Sequence, residues 1–157
     1  MPVTAGRKAP YRHILVPTDG TERSARAEKA ATDLARDFNA QVTAVHVVAP
    51  YSPGALLELH APGAPPSPDQ YRRIVEARGR STLRKAAARA RRAGVAVETA
   101  LLVSEATAEA IVDAAREKSC DLIVMATSNP VGLRRLALGS VASEVLMRAH
   151  APVLICR

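Results

Sequence analysis

The sequence predicts an α/β fold in which a parallel sheet is covered by helices on both faces. Two short runs, HILVP at 13–17 and DLIVMAT at 121–127, are apolar with little alternation, as strands buried on both faces are. Segments with apolar residues at helical spacing alternate with such runs along the chain, which calls for parallel strands and right-handed crossovers. The apolar fraction of 48% comes mainly from Ala, Val and Leu, with aromatics at only 3%, so the expected core is built of thin aliphatic layers under Ala-rich helices.

Each element has its own signal. Residues 1–11 hold Pro2, Gly6 and Pro10 without apolar periodicity and read as a mobile tail; residues 12–157 read as one domain. The first strand, from His13, closes at Pro17. TDGTERS then supplies a turn and a helix start with Thr21 as N-cap, and Ala27, Ala31, Leu34 and Phe38 recur at helical spacing. Asn39 to Gln41 ends that helix and VTAVHVV is the second strand. Six prolines between Pro50 and Pro68 predict a long loop, a candidate lid.

A long amphipathic helix follows from Asp69, carrying Tyr71, Ile74, Val75, Leu83, Ala86, Ala87 and Ala90 and stopping at Gly94. Val95 to Val103 alternates and reads as a half-covered edge strand. Thr107 to Lys118 is a helix with Ala108, Ile111, Val112 and Ala115 inward, DLIVMAT a central strand, and SNPVGLRRLALGS a loop. The next helix carries Val141, Val145, Leu146 and Ala149, and VLIC is the last strand. No internal repeat is visible.

Several function classes are disfavoured. No apolar run reaches the ~18 residues of a membrane span, and MPVTAGRKAPYR lacks the apolar stretch of an export signal, so a cytoplasmic protein is expected, with no membrane partner. Cys120 and Cys156 form neither a CxxC motif nor a disulfide framework, and read as buried core thiols in a reducing compartment. His13, His46, His60 and His150 show no metal-ligand spacing, and GxSxG is absent. The net charge of +7 raises the question of nucleic acid, but segments such as Arg84 to Arg92 have Ala in the gaps and no aromatics to stack on bases. They read as a solvated helix face.

Ligands of open parallel sheets bind beyond the carboxyl ends of the strands. Three segments would meet there: Pro17-Thr18-Asp19, Val47 to Ala49, and Ala126 to Ser140. ILVPTDG at 14–20, DLIVMAT, and GSVASEVLMRAHAPVLI at 139–155, in this order and spacing, resemble the universal stress protein family over the chain from about residue 11. That resemblance implies the adenine nucleotide alpha hydrolase-like fold, with five strands in the order 3-2-1-4-5. It also implies a homodimer through the last strand, Val153 to Cys156, with Cys156 near the two-fold axis.

Nucleotide-binding members of the family carry G-x2-G-x9-G-S/T after the fourth strand; here the pattern is A-x2-N-x9-G-S, with Ala126 and Asn129 at the two glycine positions. A Cβ at Ala126 narrows the approach to a phosphate, Asn129 still tolerates the left-handed region, and Pro130 removes an N–H. Gly139, Ser140 and Val141 remain at a helix N-terminus suited to an anion. Asp19 and Val47 match positions that in ATP-binding relatives hold the adenosine end; otherwise Asp19 is a turn former. Arg134 and Arg135 on the same loop read as solvated, with charge that could offset lost backbone contacts.

The resemblance therefore implies a dimeric stress-response binding module whose ligand is ATP or another adenine nucleotide with Mg²⁺, or none if the altered loop no longer holds it. A slow Mg-dependent ATPase and a ligand-free protein-interaction module are the alternatives. A P-loop lysine, which efficient phosphoryl transfer of that type uses, is absent.

Overall fold

The computed structural model describes residues 9–59, 62–127 and 138–157. His60, Asn129, Pro130, Arg134, Arg135 and nearly all of the expected N-terminal tail lie outside them. The element order is β1 His13–Pro17, α1 Glu22–Phe38, β2 Gln41–Val48, α2 Pro53–Leu59, α3 Pro68–Arg92, β3 Val97–Val103, α4 Thr107–Glu117, β4 Leu122–Ala126, α5 Ser140–Arg148 and β5 Val153–Cys156. The five strands form one parallel sheet in the order β3-β2-β1-β4-β5.

Helix boundaries follow local chemistry. Thr21 caps α1, its hydroxyl accepting from Ser24 N at 3.2 Å, and Asn39 ends it at φ 54°, a conformation that Asn tolerates. Ser67 and Gln70 form a reciprocal capping box at the start of α3, with Pro68 in the first turn where its missing N–H costs nothing. Gly94 follows the end of α3.

The sheet divides two cores. Ile14 and Val16 of β1 and Leu122 and Val124 of β4 pack under Ala27, Ala31 and Ala35 of α1 and Leu83, Ala86 and Ala90 of α3. Leu15, Ile123 and Met125 point the other way, under Ile111, Val112 and Ala115 of α4 and Ala142 and Val145 of α5. Alanine on α1 and α3 brings those helices close to the strands. Gly79 marks the tightest approach: a Cβ there would stand 2.5 Å from Leu101 Cδ1 and 2.8 Å from His46 Cδ2. At the opposite end of the sheet, the Asp121 carboxylate accepts the N–H groups of Arg12 and His13 at 2.9 to 3.1 Å and ties β1 to β4.

Four expectations change. The proline-rich stretch is not all loop, because Pro53 opens the short helix α2, whose Ala55 and Leu59 find a separate small core against Tyr71. The third strand begins at Val97, since Val95 is spent on packing as the chain leaves α3. Leu146 is 41% exposed; α5 turns Ala142 and Val145 inward instead. Cys120 is buried, its thiol pushed up to about 11 chiefly by burial, but Cys156 is only half-buried.

His13 is a buried polar group with both ring nitrogens used. Nδ1 lies 3.0 Å from Gln41 Nε2 and Nε2 lies 2.7 Å from Thr43 Oγ1, both within hydrogen-bond distance. Burial lowers its pKa below 6.5, outweighing nearby groups that raise it. Between that lowered value and 6.5 the unfolded chain binds the proton that the folded chain refuses. This contribution to stability is complete above 6.5 and lost as pH falls below it. Urea midpoints measured on either side of that value should fall more steeply with acid for the wild-type chain than for His13→Gln. Equal slopes would remove His13 from the account.

Gly79→Ala sets two effects against each other: overpacking costs roughly 1–3 kcal/mol, while better helix propensity returns up to about 1 kcal/mol. Because both atoms that the new Cβ meets belong to packed side chains, a net loss of about 1–2 kcal/mol is expected in chemical denaturation. An unchanged or raised midpoint would show that α3 can lift off the sheet at little cost.

Candidate functional site

A cleft of about 200 Å³ opens beyond the carboxyl ends of β1, β2 and β4. Its floor is Val45, Val47, Met125 and Ala126 from the strands, with Ile111 from α4 and Val141 and Ala142 from α5. Polar groups rim it: Thr18, Asp19, Thr21 and Ser24 after β1, Thr107 at the start of α4, and Thr127 after β4. An apolar slot edged by hydroxyls, one carboxylate and the guanidinium of Arg23 suits a flat, partly polar ligand.

The β1 end of this wall is held from several sides. Thr18 N–H donates to the Val45 carbonyl at 2.9 Å, and the Thr18 carbonyl accepts from His46 Nδ1 at 2.7 Å. Its hydroxyl donates to Glu28 at 2.5 Å, and the other Glu28 oxygen pairs with Arg89 of α3. Glu28 is 4% exposed, so these two partners are what make its burial tolerable. Gly20 turns the chain at φ 82°, with Thr82 of α3 packed beneath it. Asp19 then accepts from Thr21 N–H at 2.9 Å and Thr21 Oγ1 at 2.6 Å, both on Oδ1. Partial burial works against the Asp19 carboxylate, but hydrogen bonds from Thr21 and Ser24 prevail and hold its pKa below the ordinary value. At neutral pH it is an acceptor only.

On the far side, Gly139 N–H donates to Thr127 Oγ1 at 3.1 Å, fixing the entry of α5 against the end of β4. Gly139 is the N-cap and offers no side chain, so the first-turn N–H groups of Ser140, Val141 and Ala142 have no intrahelical acceptor. Val141 and Ala142 both line the cleft, so this helix start opens onto it. Of the residues expected from sequence, Pro17, Thr18, Asp19, Val47, Ala126 and Val141 share the wall. Gly139 and Ser140 stand at the entry of α5 beside it, and Asn129 lies outside the described residues. Thr127, within the segment expected at these strand ends, joins them, and Thr107, Ile111, His46 and Arg23 join unforeseen. A hydroxyl immediately after the central strand was the available hint for Thr127; the α4 residues become visible only once that helix is seated over β2.

The model of the Universal stress protein family matches residues 10–157. The chain belongs to the universal stress protein family. It is 38% identical over 147 residues to universal stress protein MJ0531 of Methanocaldococcus jannaschii, covering 94% of this chain and 82% of that protein. Among solved structures it resembles a universal stress protein family member from Burkholderia pseudomallei at 34% identity and TM-score 0.72, with 94% and 97% of the two chains covered. It also resembles a universal stress protein in complex with cAMP, at 29% identity and TM-score 0.63, covering 94% and 97%. The universal stress protein of Archaeoglobus fulgidus in complex with dAMP matches at 28% identity and TM-score 0.64, covering 94% and 98%. The strand order and the helices on both faces are those of this family's adenine nucleotide alpha hydrolase-like fold.

His46, the one imidazole on the described wall of the cleft, commits Nδ1 to the Thr18 carbonyl and turns its Cδ2–Nε2 edge toward Gly79. No group of three or more His, Cys, Asp or Glu side chains among the described residues is placed to hold a metal ion. Among the described residues Asp19 is the single carboxylate on the wall, so Mg²⁺ would need a nucleotide's phosphates for its remaining ligands.

Proposed function

We propose that this universal stress protein is a cytoplasmic, dimeric binding module that takes an adenine nucleotide in the cleft. The adenosine end would sit against Asp19 and Val47, with its phosphate toward the start of α5. The observation that carries this reading is the meeting of the Asp19 turn, the apolar floor and the open N-terminus of α5 around one cleft, where an anion gains from free N–H groups and the helix dipole. Relatives of the same fold in complex with cAMP and dAMP support it. Ala126 and Asn129 at the glycine positions of the phosphate loop favour a monophosphate over ATP, because a triphosphate needs closer backbone approach. His46 being engaged elsewhere leaves Asp19 as the sole candidate base on the described wall, so occupancy rather than hydrolysis is the proposed signal.

Calorimetric titration of nucleotide-stripped protein with AMP, cAMP and ATP, with and without Mg²⁺, tests this. Saturable binding of a monophosphate is expected, weakened about tenfold or more in Asp19→Ala, in line with ~1.5–3 kcal/mol for a hydrogen bond to a charged group. Ala126→Gly should improve ATP more than AMP. Absence of heat with all three ligands would leave the ligand-free interaction module.

The dimer is proposed through β5. Its outer edge has no strand beside it among the described residues, Leu154 on it is 41% exposed, and Leu146 and Met147 of α5 are exposed as well. An apolar open edge of this kind is expected to pair with its symmetry mate. Leu154→Glu places two carboxylates across the two-fold axis and should shift sedimentation from dimer to monomer. A wild-type monomer, or a variant that remains dimeric, would place the interface elsewhere.

A further inference from the structure

The chain has 22 Lys and Arg against 15 Asp and Glu. Helix α3 alone holds nine of the former and only Asp69 and Glu76 of the latter, leaving thirteen of each for the rest of the chain. The entire net charge of +7 therefore resides on one 25-residue helix, roughly 37 Å long at 1.5 Å per residue. From 77 to 92 there are seven cations and no acid. Arg80 pairs with Glu76, Arg72 with Asp69 and Arg89 with buried Glu28. Arg73, Arg78, Arg84, Lys85, Arg91 and Arg92 are exposed and have no ion-pair partner among the described residues.

Their angular arrangement is regular. At ~100° per residue, Arg73, Arg80, Arg84 and Arg91 fall within about 40° of one another. Arg78, Lys85 and Arg92 form a second stripe about 120° away. Between the stripes a ridge runs along Ala77, Ser81 and Ala88, small side chains of which Ala77 is exposed and Ser81 and Ala88 are half-buried. The apolar side of α3 is already consumed by Leu83, Ala86 and Ala90 in the core, so the helix has nothing to insert into a lipid surface. No aromatic stands on the ridge to stack on an unpaired base.

We infer that the exposed face of α3 docks on double-stranded DNA, its small-residue ridge toward the major groove and its two cationic stripes against the phosphates on either side. A helix ~10–12 Å across matches the ~12 Å major groove of B-DNA, whereas the deep, narrow major groove of an RNA duplex does not admit one. Ala and Ser on the ridge read no base edge, so binding is independent of sequence. α3 packs on β2 and β3, at the opposite side of the sheet from β5, so pairing through β5 leaves it free.

Fluorescence anisotropy of a labelled random-sequence DNA duplex, titrated with the full chain, tests the inference. Affinity should fall on the order of 10²- to 10³-fold from about 50 to about 200 mM KCl, as expected for four to six phosphates neutralised at a slope of about −0.9 each. R84Q/R91Q and R78Q/R92Q, one pair on each stripe, should each lower the slope by about two and weaken binding about tenfold or more. R116Q/K118Q, which removes the same charge from the α4 side, should change affinity less than about threefold, because only direct phosphate contacts release counterions. Urea midpoints of all three variants should stay near that of the wild-type chain. No binding at low salt, equal losses in the α4 control, equal affinity for an RNA duplex, or tighter association with phosphatidylglycerol vesicles than with DNA would each overturn it.

Discussion

The end of β1 is where the structure is most constrained, and Thr18 is the residue that constrains it. Its N–H, carbonyl and hydroxyl make three bonds to two other elements: Val45 and His46 of β2, and Glu28 of α1. Glu28 in turn needs Arg89 of α3, because a carboxylate 4% exposed is costly without charged or hydroxyl partners. A single buried network thus sets the positions of two strands and two helices around the turn that presents Asp19. The turn needs such anchoring, since Gly20 at φ 82° and the Asp19–Thr21 bonds define only its local shape.

The same architecture separates the molecule's working parts. The candidate cleft lies at the carboxyl ends of β1, β2 and β4, the open apolar edge at β5, and the cationic helix over β2 and β3. Arg89 joins two of them through an ion pair, since it belongs to α3 and reaches the carboxylate that holds Thr18. Outside α3 the sequence holds as many acidic as basic residues, so the net charge of the chain is that of α3.

Much of this was legible beforehand. Continuous apolar runs identify β1 and β4 because a strand covered on both faces cannot alternate, and Thr21 and Gly94 mark helix ends because caps are local chemistry. Pro17, Thr18, Asp19, Val47, Ala126 and Val141 could be named as neighbours from their places at strand ends and a helix start. Helix α2 was missed because prolines suggest loop until one of them occupies a first helical turn. Leu146 was misplaced because a short helix with apolar residues on several sides does not reveal which of them faces the sheet.

The sequence by itself determined the α/β class, the strands and the small aliphatic character of the core, which follow from periodicity, caps and composition within short windows, and the family, which follows from the resemblance of ILVPTDG, DLIVMAT and GSVASEVLMRAHAPVLI in their order and spacing. Tertiary structure alone decided that Thr107, Ile111 and His46 share the cleft with Thr127, because these residues come from three segments that meet only when the sheet is assembled. It also decided that a Cβ at Gly79 would press on Leu101 and His46, and that Glu28 meets Arg89, 61 positions away. The charge of α3 could be counted in the sequence. That the helix turns its apolar side to the core and leaves two cationic stripes in solvent depends on packing, since only the seating of a helix determines which face remains free.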